Sequence, residues 1–78
     1  MDLVLKDARG RLVGIEVKKT ASPQSANFKG LRHLRDQTGE KFLRGILLYT
    51  GATGVAFGPN LQALPVSALW QLHANTAD

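Results

Sequence analysis

The sequence predicts a small domain of the α/β (α+β) class, in which the elements follow in the order β-β-α-β. Residues 2–6 and 12–18 have the composition of strands, and the turn residues 7–10 lie between them. Apolar residues at helical spacing follow within 23–37, and an unbroken apolar run occupies 46–49. Because a helix joins the second strand to the third, those two strands can lie parallel in one sheet.

The first element is a β-hairpin whose register decides where its charged side chains point. The second strand alternates, so Glu16 and Lys18 lie on one face, adjacent along the strand. If Asp2 pairs with Glu16, Val4 with Gly14, and Lys6 with Leu12, a five-residue loop of residues 7–11 closes the hairpin. In this register the carboxylates of Asp2 and Glu16 share a face, whereas a slip of one residue separates them.

A helix follows the hairpin. Ser22 has the chemistry of an N-cap, and Pro23 suits the first helical position because its missing N–H costs nothing there. The helix is expected to run to about Gln37 and to end in a left-handed cap at Gly39. Its apolar stripe, which should pack on the sheet, consists of Phe28, Leu31 and Leu34.

The C-terminal half adds strands and a short helix. Residues 44–49 are predicted to form a central strand covered on both faces. Residues 55–57 and 61–64, joined by 58–60, have the pattern of a small hairpin, and Pro65 is expected to open a short helix that includes Trp70. The predicted organisation is one truncated domain over residues 1–72, followed by a frayed tail over 73–78.

Composition excludes several classes of protein. Seventy-eight residues allow one domain, and no apolar run approaches the ~20 residues that span a bilayer. The absence of cysteine excludes disulfides, thiolate zinc sites and thiol catalysis, and it favours a reducing cytoplasm. The net charge of +4 permits contact with nucleic acid, although surface lysines and arginines usually serve solubility.

The strongest candidate for chemistry is the set formed by Asp2, Glu16 and Lys18. Two neighbouring carboxylates repel each other unless a cation joins them, and oxygen ligands suit Mg²⁺. Lys18 would then orient a metal-bound water or stabilise negative charge in phosphodiester hydrolysis. The alternative is that Glu16 and Lys18 form an ordinary ion pair on the surface of a strand, with Asp2 as a terminal turn residue.

Other candidate motifs are weaker. Lys29, Arg32 and His33 could follow a phosphate backbone, with a solvated helix face as the alternative. The glycine-rich segment 51–54 lacks a following Gly-Lys-Ser/Thr and is predicted to be a turn, so no Walker motif is present. His33 and His73 have no carboxylate at metal-ligand spacing.

Five stretches of the chain, considered together, resemble a known family. They are Asp2-Leu3-Val4-Leu5, Gly14-Ile15-Glu16-Val17-Lys18, Phe28-Lys29-Gly30-Leu31-Arg32-His33-Leu34, Gly45-Ile46-Leu47-Leu48-Tyr49-Thr50-Gly51 and Leu64-Pro65-Val66-Ser67-Ala68-Leu69-Trp70. The order and spacing resemble the uncharacterised C-terminal domain that accompanies AAA-type P-loop ATPases in many bacteria and archaea. That domain in turn looks like a member of the PD-(D/E)XK superfamily, which has the restriction-endonuclease-like fold.

The resemblance implies a partial restriction-endonuclease-like core, since the family's α-β-β-β-α-β order begins here at its second core strand. It also implies that Asp2 and Glu16 match the acidic metal ligands and that Lys18 matches the catalytic lysine. The implied partners are DNA, an AAA-type ATPase domain in the same full-length chain, and a second copy paired along an exposed sheet edge. A non-catalytic interaction or regulatory module on the ATPase is the alternative function.

Overall fold

The structure, a computed structural model, describes residues 2–68. Its main elements are five strands and one α-helix. The elements are β1 (Leu3–Lys6), β2 (Leu12–Val17), a 3₁₀ turn (Ser25–Phe28), α1 (Lys29–Thr38), a second 3₁₀ turn (Gly39–Lys41), β3 (Phe42–Tyr49), β4 (Val55–Ala56) and β5 (Leu61–Pro65). The strands form one sheet in the order β1-β2-β3-β5-β4. The predicted mixed α/β class is therefore confirmed, and none of the described helices is long and apolar enough to cross a membrane.

The N-terminal hairpin has the register in which residues 7–11 form the loop. Strands β1 and β2 are antiparallel, with Val4 opposite Gly14 and Lys6 opposite Leu12. Strands β2 and β3 are parallel, as the helical connection between them predicts. Gly10, whose φ is 81°, supplies the left-handed residue that closes the loop.

Asp7 organises the hairpin loop. One of its carboxylate oxygens accepts hydrogen bonds from the N–H groups of Arg9 and Arg11 at 2.9 and 3.0 Å, and the other lies 2.7 Å from Nε of Arg11. Desolvation acts to raise the pKa of Asp7, but the hydrogen bonds from Arg11 and Arg9 outweigh it, so the pKa lies below its ordinary value.

Acid is expected to weaken the fold through Asp7. A carboxyl group whose pKa is lowered by folding stabilises the protein above its unfolded pKa of about 3.9, and this contribution is lost as the pH falls through the folded pKa. Asp7→Asn should therefore lower the Tm at pH 7, with the two proteins converging at the acid end of a pH series. Asp36→Asn is the control, because that side chain is 74% exposed. A Tm difference that stays constant with pH would contradict this role.

The helix begins later than its cap signals predict. Ser22 is not the N-cap, because the first helical turn begins at Ser25 and its N-cap is Gln24. Instead, the side chain of Asn27 accepts the N–H of Gln24 at 2.8 Å, and a 3₁₀ turn leads into α1 at Lys29. Pro23 therefore lies in the connection rather than at the first helical position.

The end of α1 also differs from the prediction. Gly39 has the expected positive φ of 56°, but its ψ of −123° is not that of a left-handed helical residue. The chain continues from there into the second 3₁₀ turn. The glycine at this position is explained by its positive φ alone.

The core lies between α1 and one face of the sheet. The predicted stripe is confirmed, because Phe28 and Leu31 are fully buried and Leu34 packs against them. They contact a sheet face whose buried members are Leu12, Phe42, Leu47, Tyr49, Leu61 and Ala63. Strand β3 is central, as predicted. The successive residues Leu47 and Leu48, which alternation puts on opposite faces, are 0% and 6% exposed, so this part of the strand is buried on both faces, as predicted.

The small C-terminal hairpin is confirmed, with β4 antiparallel to β5 and β5 parallel to β3. Pro65, which was expected to begin a helix, is the last residue of β5. The missing N–H of Pro65 does not interrupt the pairing with β3. The next residue, Val66, continues that pairing by donating its N–H to the carbonyl of Tyr49 at 2.8 Å. Most of the expected short helix, including Trp70, and the expected tail over 73–78 lie outside the described residues.

Candidate functional site

The candidate site lies where the parallel strand β2 ends. Leu12, Gly14 and Glu16 alternate onto the face that α1 covers, and the first two are buried there. Glu16 is the last of this row, and its side chain is only 15% exposed. The same alternation that builds the core therefore brings a carboxylate to the edge of the core.

Only one of the two carboxylate oxygens of Glu16 has a polar partner among the described residues. One oxygen, Oε1, lies 3.3 Å from Nζ of Lys18, whose side chain is 43% exposed. The other oxygen, Oε2, is buried and has no hydrogen-bond partner among the described residues. An unpartnered buried carboxylate oxygen destabilises a fold, since it has lost its water without gaining a donor. A cation or a hydrogen-bond donor from a ligand would satisfy this oxygen.

Asp2 reaches the same end of the hairpin. It lies one residue before β1, and the register of the β1–β2 pair places it opposite Glu16, as predicted. Its Oδ2 accepts the N–H of Val17 at 2.6 Å, so the carboxylate is anchored to the residue between Glu16 and Lys18. The three predicted residues are thus brought together, although Asp2 is exposed and Glu16 is not.

The chemistry of this donor set fits Mg²⁺. No group of three or more His, Cys, Asp and Glu side chains that could hold a metal occurs within residues 2–68. Mg²⁺ does not require such a group, because it keeps several waters and is commonly held by one or two carboxylates together with substrate phosphates. Glu16, with its unpartnered oxygen, and the neighbouring Asp2 are the residues that could hold it.

Tyr49 and the loop after β3 follow directly after the residues that pair with the end of β2, a placement that the sequence alone did not reveal. The pairing of β2 with β3 continues through the N–H of Lys18, which donates to the carbonyl of Leu48 at 2.9 Å. Tyr49 follows on the same face, is 3% exposed, and donates its hydroxyl to the carbonyl of Thr53. A side chain at Gly51 would overlap the ring of Tyr49. A tyrosine that ends an apolar strand before a glycine-rich turn was the available signal.

The exposed surface of α1 carries the other predicted residues. Lys29, Arg32 and His33 line a depression of about 520 Å³, together with Gly30 and Asp36. Arg32 also donates to the hydroxyl of Ser25 at 3.2 Å. Because α1 and Glu16 lie on the same side of the sheet, this basic surface and the carboxylate site belong to one side of the molecule.

Comparison with known proteins gives one match. A family model described as "Domain of unknown function (DUF4143)" matches residues 1–69, which is most of the chain. No curated protein and no solved structure matches the chain. This match establishes the family of the chain, but the description of the family names no activity, ligand or partner.

Proposed function

The chain belongs to the DUF4143 family. We propose that Asp2, Glu16 and Lys18 form a Mg²⁺-dependent site for phosphodiester hydrolysis in DNA. We also propose that the chain is a PD-(D/E)XK nuclease-like domain that is attached to an AAA-type ATPase in the cytoplasm, as its resemblance to that superfamily implies. The observation that carries it is the buried oxygen of Glu16, which lacks a partner beside a lysine. Stability alone gives no reason to keep a carboxylate there.

The residues divide the chemistry between them. Asp2 and Glu16 would hold Mg²⁺, which when bound polarises the phosphodiester and provides an activated water. Nζ of Lys18, which lies 3.3 Å from Oε1 of Glu16 on a side chain that is 43% exposed, would stabilise negative charge on the phosphate. In hydrolysis a bond forms from the water oxygen to phosphorus, the bond from phosphorus to the leaving oxygen breaks, and the proton of the water passes to that oxygen.

The basic surface of α1 would hold the substrate. Lys29 is exposed and Arg32 is partly exposed, so the ammonium group of Lys29 and the guanidinium group of Arg32 are accessible to phosphates. Contacts of this kind position a duplex without reading its sequence. The location of these residues on the same side of the sheet as Glu16 supports a single path for the nucleic acid.

A paramagnetic titration tests the metal site. Mn²⁺ is expected to broaden the amide signals of residues 2 and 16–18 in the labelled chain, and Glu16→Gln should remove the effect, because the variant keeps the shape but loses the charged ligand. Glu40→Gln is the matched control, since Glu40 lies in the 3₁₀ turn before β3, at the opposite end of the parallel strands. Broadening that is absent, or that Glu16→Gln leaves unchanged, would contradict the proposal.

A second function is a non-catalytic interaction or regulatory module of the ATPase. The observation that favours it is the exposure of β1, a sheet edge in which all four residues are exposed. Unpaired edge strands accept further strands, including that of a second copy. This module would be indifferent to Mn²⁺, so the titration separates the two functions.

A further inference from the structure

Strand β1 is an edge of the sheet, and within residues 2–68 no strand pairs with its outer side. The other edge of the sheet is β4, which has only two residues. All four residues of β1 are exposed, none of them is proline, and the pairing with β2 contains no register shift. Edge strands without a proline or a bulge accept a further strand. The sheet can therefore be extended at β1.

The backbone groups that β1 offers at this edge follow from its pairing with β2. The N–H of Asp7 donates to the carbonyl of Arg11 at 2.9 Å, so these two residues form a hydrogen-bonded pair. Hydrogen-bonded and non-hydrogen-bonded pairs alternate along an antiparallel ladder. The residues of β1 that are bonded to β2 are therefore Leu3 and Leu5. The residues that alternate with them direct their N–H and C=O groups away from β2.

These outward-directed residues, Asp2, Val4 and Lys6, carry their charges in a self-complementary order. When two β1 strands run antiparallel and are centred on Val4, Asp2 of each copy lies opposite Lys6 of the other. All three residues then take part in hydrogen-bonded pairs between the copies. Every other two-fold symmetric register brings fewer of them together, and two of those registers oppose like charges.

We propose that two copies of the chain associate through β1 in this register. The pairing makes one continuous sheet, and its two-fold symmetry closes the assembly at two copies, because both remaining edges are the short strand β4. On the side of the sheet opposite α1, Leu3 of one copy lies beside Leu5 of the other. These side chains are 49% and 51% exposed in the single chain, so the pairing covers apolar surface as well as backbone.

The second copy adds a charged group to the candidate site. Lys6 is paired with Leu12 and Asp2 lies opposite Glu16, so both side chains are on the face of the sheet that α1 covers. Side chains directly opposite each other across antiparallel strands have Cβ atoms about 4.5–5.5 Å apart. Lys6 of the second copy is thus next to Asp2 and in line with Glu16. The association needs neither Mg²⁺ nor an ATPase, so it is independent of both functions proposed above.

An NMR dilution series tests the pairing. Residues 2–6 of each copy form a small interface, well below the roughly 800 Å² per partner of a stable complex, so association should vary between about 10 µM and 1 mM chain. As the concentration rises, the amides of Val4 and Lys6 should shift and exchange more slowly with solvent. Those of Leu3 and Leu5, which are already bonded to β2, should change less. When labelled and unlabelled chains are mixed, Leu3 should give nuclear Overhauser contacts to Leu5 of the second copy, which this register places directly opposite.

Charge reversal tests the register. Asp2→Lys and Lys6→Glu each place like charges opposite one another at both ends of the paired strands, and each variant should associate roughly tenfold more weakly than the wild type. An equimolar mixture of the two variants should associate as the wild type does, because every end pair then joins opposite charges. Asp2→Lys also loses the bond from the N–H of Val17, but recovery in the mixture excludes misfolding as the cause. Lys29→Glu, on the exposed side of α1, is the matched control and should leave association unaltered.

Three results would overturn the proposal. The first is protection of the amides of Val4 and Lys6 that does not depend on concentration, as an occupant from residues 69–78 of the same chain would give. The second is a mixture of the two variants that associates no more tightly than either variant alone. The third is the absence of association at about 1 mM, or an association whose Overhauser contacts lie outside β1.

Discussion

Replacing Phe28 with alanine is expected to lower the free energy of unfolding by about 3–5 kcal/mol, the usual cost of truncating a buried aromatic side chain to alanine. Phe28 is completely buried, and its ring stacks on that of Phe57 with a centroid separation of 4.5 Å. At roughly 0.05–0.15 kcal/mol per residue, a 78-residue domain has a total stability of about 4–12 kcal/mol. The loss is thus a large fraction of the total, and much of the variant should be unfolded at 37 °C.

Urea unfolding followed by circular dichroism measures this effect. Leu43→Ala is the control, because it also shortens a large apolar side chain, but one that is 45% exposed. That change should cost much less than Phe28→Ala, since it opens no cavity. Similar midpoints for the two variants would mean that the layer between α1 and the sheet does not hold the domain together.

The hairpin and the parallel sheet could be predicted because their signals are local. The alternating strand fixes which side chains share the face of Leu12, and the structure has the register that a five-residue loop closes. The start of the helix could not be predicted in this way. Ser22 and Pro23 are favourable N-terminal residues, but the helical turn begins after Gln24, whose N–H is bound by the side chain of Asn27 three residues further on.

Which residues meet at the candidate site could be predicted from the sequence, but their burial and hydrogen bonds could not. Alternation alone places Glu16 and Lys18 on one face, and register adds Asp2. The burial of Oε2 depends on how α1 packs over the sheet, which is a long-range property. The hydrogen bond from Val17 to Asp2 likewise arises only when the hairpin is assembled. Pro65 differs from its prediction for a similar reason, because pairing of β5 with β3 outweighs the local preference of proline for a helix start.

Glu16→Met is expected to raise the free energy of unfolding by about 1–2 kcal/mol when no divalent cation is present. The substitution removes a buried oxygen without a partner, whose desolvation costs about 1–3 kcal/mol, and keeps a side chain of similar length. The ion pair with Lys18 that is lost is half-exposed and contributes at most about 1 kcal/mol. Thermal unfolding should record the gain as a Tm increase of about 4–8 °C for each kcal/mol.

The response to Mg²⁺ distinguishes a metal ligand from a surface ion pair. A cation that binds only the folded protein stabilises it in proportion to the logarithm of its concentration, so the Tm of the wild type should rise with Mg²⁺. Glu16→Met should be more stable without Mg²⁺ and should no longer respond to it, while Glu40→Met, an exposed control, should behave as the wild type does. An ordinary ion pair predicts the opposite combination, in which Glu16→Met is neutral or destabilising and neither protein responds. A carboxylate that weakens the fold until a cation arrives is explained by binding, because packing alone would favour an apolar residue at this position.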